Sequence, residues 1–241
     1  MSDHFDLPEC ALAVYAHPDD LEIAFGGTAA KWINEGCEVH AVICANGGKG
    51  TQDPFANELE VAETRKIEAL ESSEILGIKS LTFLGFEDGN LDSGNLDGDT
   101  LGSLSNLTRR LVGVIRSVKP QCLICPDPTA VFFGSDYYNH KDHRTVGFAA
   151  LDAAAPQAAL PLYHKDQGSP HRVGKAYLSG TLEPDFWVDI GDFVDTKVKA
   201  LRCHRSQVNE SDEWLDGFVR SQSSRKDFSS YFEGFRQVRL H

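Results

Sequence analysis

Two short stretches of the sequence combine histidine with carboxylates at spacings suited to metal chemistry. They are His17-Pro18-Asp19-Asp20, which follows an apolar run, and His140-Lys141-Asp142-His143. Asp and Glu are rarely buried without a partner, so a cation, a proton or a catalytic task is expected beside the first stretch. Two histidines and one carboxylate leave the fourth position of a zinc ion free for water, as in catalytic zinc sites. Nitrogen and oxygen ligands without thiolate favour zinc, although ferrous iron, manganese or cobalt would also be accepted.

Each stretch on its own has an ordinary structural explanation. His17 could be a core histidine, and Asp20 could cap the N-terminus of a helix. The two stretches together favour a metal site, provided that the fold brings them to the same place.

The elements that position these residues follow from the hydrophobic pattern. Buried-strand patterns cover residues 11–16, 38–45, 80–85, 121–127, 173–180 and 186–191. Helical patterns cover residues 25–35, 57–76, 105–118, 144–154, 195–204 and 211–220. This alternation predicts an α/β, Rossmann-like fold with a mainly parallel sheet flanked by helices, plus additional C-terminal strands and helices. We expect a single domain over residues 1–241, with a motif-bearing core at about residues 10–207.

Every unusual polar cluster follows the end of a predicted strand. His17 and Asp20 follow the first strand, residues 46–51 the second, Asp88 the third, and residues 127–143 the fourth. In open α/β sheets ligands bind beyond the carboxyl ends of the strands. The sequence therefore predicts that the two stretches meet at one edge of the sheet.

Composition excludes several classes of function. The 241 residues include 36 acidic and 23 basic side chains, for a net charge of −13, which disfavours a nucleic-acid partner. No apolar run approaches the roughly 18 residues of a membrane span, and the N-terminus lacks a signal-peptide pattern, so we expect a cytoplasmic protein without membrane attachment.

Two other motifs are discounted from their spacing. Cys122 and Cys125 form a C-x-x-C pair within a predicted strand, where an offset of three places the side chains on opposite faces and argues against a zinc knuckle. The glycine-rich residues 46–51 lack the spacing of a phosphate-binding P-loop.

The two metal-suited stretches resemble the LmbE/PIG-L family of zinc-dependent N-deacetylases, which act on N-acetylglucosamine conjugates and related small amides. Glu22, after the first stretch, belongs to the same resemblance. Three further segments match family features in the same order: Arg65-x-x-Glu68, Leu84-Gly85-x-x-Asp88-Gly89, and Lys197-x-x-Ala200-Leu201-x-x-His204-x-Ser206-Gln207.

This resemblance implies that His17, Asp20 and His143 bind the metal, which is expected to be Zn²⁺ or another divalent cation. It implies that Asp19 is the general base for the attacking water. The chemistry agrees, because one of two adjacent carboxylates can bind a metal while the other reaches the water on that metal. The alternative for Asp19 is a carboxylate that supports the ligands without taking part in proton transfer.

The resemblance also gives expectations for the second stretch. His140 as imidazolium would stabilise the oxyanion or protonate the departing amine. Asp142 would orient a histidine ring. Tyr138 would polarise the amide carbonyl, although Tyr137 could fill that position and packing is an equal alternative.

Arg65 and Asp88 are the remaining candidates for substrate binding. Arg65 would hold substrate hydroxyls or order the edge loop, with an ion pair as the alternative. Asp88 would bind sugar hydroxyls, with turn formation before Gly89 as the alternative. The segment 204–207 receives no chemical role, and helix-end contacts are expected there.

We therefore expect a metal-dependent hydrolase that removes an N-acyl group, in the simplest case acetyl, from a small amino-sugar conjugate. One alternative is a zinc-dependent hydratase or lyase of a small unsaturated acid, and another is a non-catalytic metal-binding protein. An aromatic C-terminal stretch is expected to cover the core or, as a second alternative, to form a homo-oligomer interface. Its members are Trp214, Phe218, Phe228, Tyr231, Phe232 and Phe235.

Overall fold

A computed structural model describes residues 7–91, 104–208, 211–225 and 229–241. Its helices and strands alternate as the sequence pattern predicts. In chain order they are β1 (Cys10–Tyr15), α1 (Asp20–Asn34), β2 (Glu38–Ala45), α2 (Glu58–Leu76), β3 (Ser80–Phe86), α3 (Leu104–Val118), β4 (Cys122–Pro126), β5 (Phe132–Phe133), β6 (Tyr137–Tyr138), α4 (Lys141–Asp152), β7 (Lys175–Ser179), β8 (Phe186–Asp189), α5 (Val194–Leu201), α6 (Asp212–Ser223) and β9 (Phe232–Arg239).

The main sheet has seven strands in the order β3-β2-β1-β4-β7-β9-β8. The strands from β3 to β7 are parallel, whereas β9 runs antiparallel to both β7 and β8. The predicted Rossmann-like α/β fold is thus confirmed. The strand order reverses between β1 and β4, and such a reversal opens a crevice at the carboxyl ends of the two strands. Both metal-suited stretches follow these two strands.

The sheet is covered on both faces because successive strand residues point to opposite sides. Leu12 and Val14 belong to one buried cluster, while Ala11 and Ala13 belong to the other. Cys125 and Cys122 fall in the same two clusters respectively, so they lie on opposite faces as predicted. All six cysteines are unpaired. Within the described ranges, no helix combines the length and the apolar character needed to cross a bilayer.

Two segments differ from the sequence-based expectation. Residues 232–239 form the strand β9, which the pattern did not predict, because charged residues and Gly234 interrupt its apolar alternation. Phe235 supplies the core cover expected of the aromatic stretch, since it is buried with the cluster that contains Ala11. Phe228 lies outside the described residues. The long loop expected between residues 127 and 143 contains a small hairpin formed by β5 and β6.

A buried ion pair joins α1 to α5 and β9. Lys197 Nζ donates to Glu233 Oε1 at 2.7 Å and to the Ile23 carbonyl of α1 at 2.8 Å. The amides of Gly27 and Thr28 donate to the two oxygens of Glu233 at 3.0 and 2.8 Å. The carboxylate therefore binds the middle of α1 directly and holds the helix against the sheet.

Lys197→Met should destabilise the protein strongly, because it leaves the Glu233 carboxylate buried without its cation. Removing one partner of a buried pair costs about 3–5 kcal/mol of unfolding free energy. Urea denaturation of both proteins measures the difference. Arg205→Met is the matched control, since Arg205 pairs with Glu71 on the surface and its loss should barely move the denaturation midpoint. Equal shifts of the denaturation midpoint for the two variants would show that the buried pair stabilises the fold no more than the surface pair does.

Candidate active site

The chain turns sharply between β1 and α1, at the first metal-suited stretch. Asp19 has φ 112° and ψ −26°, in the left-handed region that residues other than glycine seldom adopt. Such strain costs of the order of 1–3 kcal/mol and persists only where neighbours enforce it. Arg65 is one of those neighbours, because its Nη2 donates to the Pro18 carbonyl at 2.8 Å and to Asp19 Oδ2 at 3.3 Å. Burial, followed by the adjacent Asp20 charge, raises the pKa of Asp19 to about 7 against the opposing effect of Arg65.

Asp20 is the first residue of α1, and its carboxylate lies between two histidines from the two distant stretches. Its Oδ2 is 3.4 Å from His17 Nδ1, and its Oδ1 is 3.2 Å from His143 Nε2. In a tetrahedral zinc site with bonds of about 2.0–2.1 Å, ligand atoms lie roughly 3.3 Å apart. Asp20 thus lies at such a separation from each histidine, through a different oxygen in each case, while the groups of described residues whose ligand atoms all lie within 4.8 Å of one another are His17 with His140 and His143, and His17 with Asp88 and Asp142.

In each of these two histidines, the ring nitrogen that faces away from Asp20 contacts a further polar side chain. His17 Nε2 lies 3.3 Å from Asp142 Oδ2 and 3.2 Å from Asp88 Oδ1. His143 Nδ1 lies 3.1 Å from Asn139 Oδ1. Metal-binding histidines commonly donate their other N–H to a carboxylate or carbonyl oxygen, which fixes the ring. In both rings the nitrogen left over is the one that faces Asp20.

The carboxylates around His17 favour positive charge at this position. Burial disfavours the charged ring, but hydrogen bonds to Asp142, Asp20 and Asp88 outweigh it and raise the pKa of His17 to about 12. Asp142 Oδ1 is also buried, with no hydrogen-bond partner among the described residues. Three carboxylates around one imidazole thus favour positive charge, which the protonated ring or a bound cation can supply.

His140 lies beside this pair of rings. Ring centroids of His17, His140 and His143 are 5.0 to 5.5 Å apart, and one nitrogen from each ring lies within 4.8 Å of the other two. His140 Nδ1 accepts the Asp142 amide hydrogen at 3.2 Å, so a neutral ring carries its proton on Nε2. Burial and the charge of His17 lower the pKa of His140. The geometry therefore favours a neutral hydrogen-bond donor over the imidazolium expected from the resemblance.

The combination of this site with this fold has known counterparts. The model of the PIG-L family, described as GlcNAc-PI de-N-acetylase, matches residues 12–154. This chain belongs to the PIG-L family. The matched range begins within β1 and extends past α4, so it contains both metal-suited stretches and confirms the resemblance inferred from them.

Proteins with named activities also match most of the chain. Diacetylchitobiose deacetylase from Thermococcus kodakarensis is 32% identical over 219 residues, covering 89% of this chain and 75% of its own sequence. The structure of N,N'-diacetylchitobiose deacetylase from Pyrococcus horikoshii matches with a TM-score of 0.81 and 29% identity, covering 97% of this chain and 87% of that one. The 4-carboxy-2-hydroxymuconate hydratase GalB from Pseudomonas putida matches with a TM-score of 0.72 and 22% identity, over 95% of this chain and 96% of that one, which is a likeness of fold.

Arg65 and Asp88, the two charged residues expected to bind substrate, both form hydrogen bonds with other residues of the protein. Arg65 is 4% exposed and also donates from Nη1 to the Gly47 carbonyl at 2.9 Å, which favours loop ordering and the ion pair. Asp88 Oδ2 accepts the Lys49 amide hydrogen at 3.2 Å. The Gly89 amide, in a turn with φ 80°, donates to Asp142 Oδ2 at 2.8 Å. Substrate contact by Arg65 and Asp88 stays a prediction, and both demonstrably support the site.

Tyr138 lies on the exposed hairpin formed by β5 and β6. Its hydroxyl accepts a hydrogen bond from Arg144, next to His143, at 2.6 Å, and Arg144 also lies over its ring. Tyr137 instead contacts Phe133. Of the two tyrosines, Tyr138 is therefore the one joined to the helix that carries His143.

The segment 204–207, which sequence analysis left without a chemical role, joins several parts of the site. His204 Nε2 lies 3.4 Å from Glu22 Oε2 on α1. Ser206 donates through its amide and hydroxyl to Glu68, one turn beyond Arg65. Gln207 Nε2 donates to the Gly50 carbonyl at 2.9 Å. This segment thus braces α1, α2 and the loop after β2 against one another, which extends the helix-end contacts expected there.

Proposed function

We propose that this protein is a metal-dependent N-deacetylase that hydrolyses the N-acetyl group of a small amino-sugar conjugate. The observation that carries the proposal is the Asp20 carboxylate placed between His17 and His143, with Asp19 as the preceding residue. Membership of the PIG-L family supports the same conclusion.

His17, Asp20 and His143 would hold the ion, and Zn²⁺ suits their two nitrogens and one carboxylate. When bound, such an ion polarises a carbonyl and lowers the pKa of water to about 7. Asp88, Asp142 and Asn139 keep the two histidine rings oriented toward that position.

Asp19 and His140 then have separate roles, Asp19 in proton transfer and His140 in hydrogen bonding. Asp19 accepts a proton from the attacking water, while Arg65 holds its carboxylate in place. The His140 Nε2–H donates a hydrogen bond to the carbonyl oxygen as negative charge develops there. Asp19 then returns the proton to the nitrogen as the C–N bond breaks, so that water is consumed and acetic acid and the amine are formed, which ionise to acetate and an ammonium group.

Hydrolysis is preferred to the hydratase alternative because the likeness to the hydratase GalB concerns the fold, whereas the deacetylase relative from Thermococcus kodakarensis is 32% identical. The non-catalytic alternative is disfavoured because relatives that match most of the chain are named as deacetylases. Six unpaired cysteines fit a reducing compartment, which supports the proposed cytoplasmic location. A homo-oligomer remains one expectation for the aromatic C-terminal stretch.

The test is acetate release from N-acetylglucosamine and N,N'-diacetylchitobiose by purified protein, before and after chelation. We expect release to fall to background once the metal is removed and to return when zinc is restored. Parallel incubation with an unsaturated acid, followed by ultraviolet absorbance, tests the hydratase alternative. Release that is indifferent to the chelator, or turnover of the unsaturated acid alone, would refute the proposal.

A further inference from the structure

A pocket of about 340 Å³ lies among α1, α5 and α6 and the two strands β8 and β9 at one edge of the sheet. The described residues that line it include none of those proposed to bind the metal or to transfer protons. We propose that this pocket binds a small, uncharged aromatic molecule that carries a carbonyl oxygen. Such a site is separate from the deacetylase site, and its test does not depend on acetate release.

One buried hydroxyl group at this pocket lacks a partner. Ser223, the last residue of α6, is 2% exposed, and its Oγ makes no hydrogen bond to any described residue. Buried polar groups are nearly always hydrogen-bonded, so this exception calls for a bound molecule or an ordered water. Because a hydroxyl can donate or accept, a ligand oxygen would satisfy it.

Lys197 supplies a second hydrogen-bond donor to the lining of the same pocket. An ammonium group has three hydrogens. Lys197 Nζ donates to two acceptors among the described residues, Glu233 Oε1 at 2.7 Å and the Ile23 carbonyl at 2.8 Å. One hydrogen is thus left for a further acceptor. A carbonyl oxygen has two lone pairs and suits a pocket whose lining includes the donors of Lys197 and Ser223.

The charges at the pocket favour a neutral ligand. Lys197 and Glu233 are the charged members of the described lining, and they form an ion pair with each other. Both are buried, at 4% and 5% exposure. A charged ligand would lose its hydration there without meeting an unpaired charge of opposite sign, which is costly. An amide or ketone oxygen accepts hydrogen bonds without that cost.

The walls of the pocket favour an aromatic ring. Trp187, Phe218 and Phe232 all contribute to the lining. Trp187 is held in place, because the Arg225 guanidinium lies 3.9 Å from the centroid of its ring. On the strand β9, a Cβ atom at Gly234 would approach the Trp187 ring to 2.7 Å, so the indole packs directly on the backbone. Aromatic rings pack favourably against one another in offset or edge-to-face arrangements.

Other uncharged occupants fit the lining less well. The volume lies near the lower end of the range of about 300–1,000 Å³ that holds small-molecule ligands. An aliphatic chain would pack against Ile23, Leu201 and Val219 but would leave both donors without an acceptor. A sugar ring would bring several hydroxyl groups against three aromatic side chains. A flat ring with a single carbonyl group matches both the walls and the donors.

The test is isothermal titration calorimetry of the zinc-loaded protein with four compounds: benzamide, cyclohexanecarboxamide, benzoate and N,N'-diacetylchitobiose. We expect one benzamide per chain with a Kd of about 1 mM or lower, as its small size allows. The aliphatic amide and benzoate should bind at least about fivefold more weakly, because one lacks the aromatic ring and the other carries a charge.

Ser223→Ala should weaken benzamide binding about five- to tenfold, the effect of one lost hydrogen bond. The variant should fold normally because the hydroxyl has no partner to lose, and urea denaturation verifies this. Ser221→Ala is the matched control on the same helix. Its Oγ donates to the Phe218 carbonyl at 2.8 Å, and Ser221 is absent from the lining, so benzamide binding should not change.

Three results would overturn the proposal. The first is no detectable benzamide binding at about ten times the expected Kd. The second is binding that Ser223→Ala leaves unchanged, which would place benzamide elsewhere, for example at the proposed metal site. The third is tighter, Ser223-dependent binding of the aliphatic amide, benzoate or N,N'-diacetylchitobiose, which would assign the pocket to an aliphatic ring, an anion or the sugar substrate.

Discussion

Replacing Asp19 by asparagine is expected to lower kcat for acetate release by about 10²–10⁴-fold, the usual contribution of a positioned general base. Asparagine preserves the shape of the side chain and tolerates positive φ better than most residues, so the strained turn at φ 112° should persist. The amide can still accept a hydrogen bond from Arg65, but it cannot take a proton from water. Steady-state kinetics on the zinc-loaded variant measure the loss.

Zinc content must be measured on the same Asp19→Asn sample, because the argument requires that the metal site survive. We expect one ion per chain in both proteins. Asp216→Asn is the matched control, since Asp216 pairs with Arg220 on the surface and has no place in the site. Near-normal turnover by Asp19→Asn would mean that Asp19 only supports its neighbours, which is the alternative that the sequence left open.

The second large loss, of both bound zinc and activity, is expected from His143→Ala. Loss of this ring removes one of three proposed protein ligands and leaves Asp20 Oδ1 without its partner at 3.2 Å. We expect zinc retention after dialysis to fall from one ion per chain to nearly none, and acetate release to fall to background. Inductively coupled plasma mass spectrometry together with kinetics at saturating zinc measures both changes.

Asn139→Ala provides a graded comparison for His143→Ala. Asn139 contacts His143 Nδ1 at 3.1 Å, and its own amide donates to the Ala130 carbonyl at 2.7 Å. Removing a side chain that orients a metal-binding histidine typically weakens metal affinity or activity about 10–100-fold. If His143→Ala kept its zinc while His140→Ala lost it, the ligand set would have to be reassigned around His140.

The position of the site was predictable from the sequence because it depends on periodicity and strand ends. The patterns at residues 11–16 and 121–127 correspond to β1 and β4, and the strand order reverses between them. Histidine and carboxylate residues that follow those strands must then lie near one crevice. The family resemblance added an expected role for each residue, which the spacing alone did not supply.

The supporting contacts could not be predicted in the same way. Glu233 is one charged residue in a strand that the pattern missed, yet it contacts Gly27, far earlier in the chain, at 3.0 Å. Asn139 stands next to His140 in the sequence, and that adjacency was the one available signal for its role. Ser206 and His204 find their partners on α2 and α1, and no local pattern reports such pairings.

Asp88 and Arg65 show how tertiary contacts change the interpretation of a motif. Sequence reasoning offered both residues as substrate-binding groups. In the folded chain Asp88 Oδ1 faces His17 Nε2 at 3.2 Å, and Arg65 is buried against the turn that carries Asp19. A charged side chain after a strand predicts that something polar is bound there, but the bound group can be another part of the protein.

Anomalous diffraction at the zinc edge, on crystals of the zinc-loaded protein, tests the central claim most directly. We expect one peak at about 2.0–2.2 Å from a nitrogen of His17, a nitrogen of His143 and an oxygen of Asp20. A peak on the opposite side of His17, between Asp88 and Asp142, would contradict this assignment. So would an ion bound by His140 in place of Asp20, or the absence of any peak at these residues.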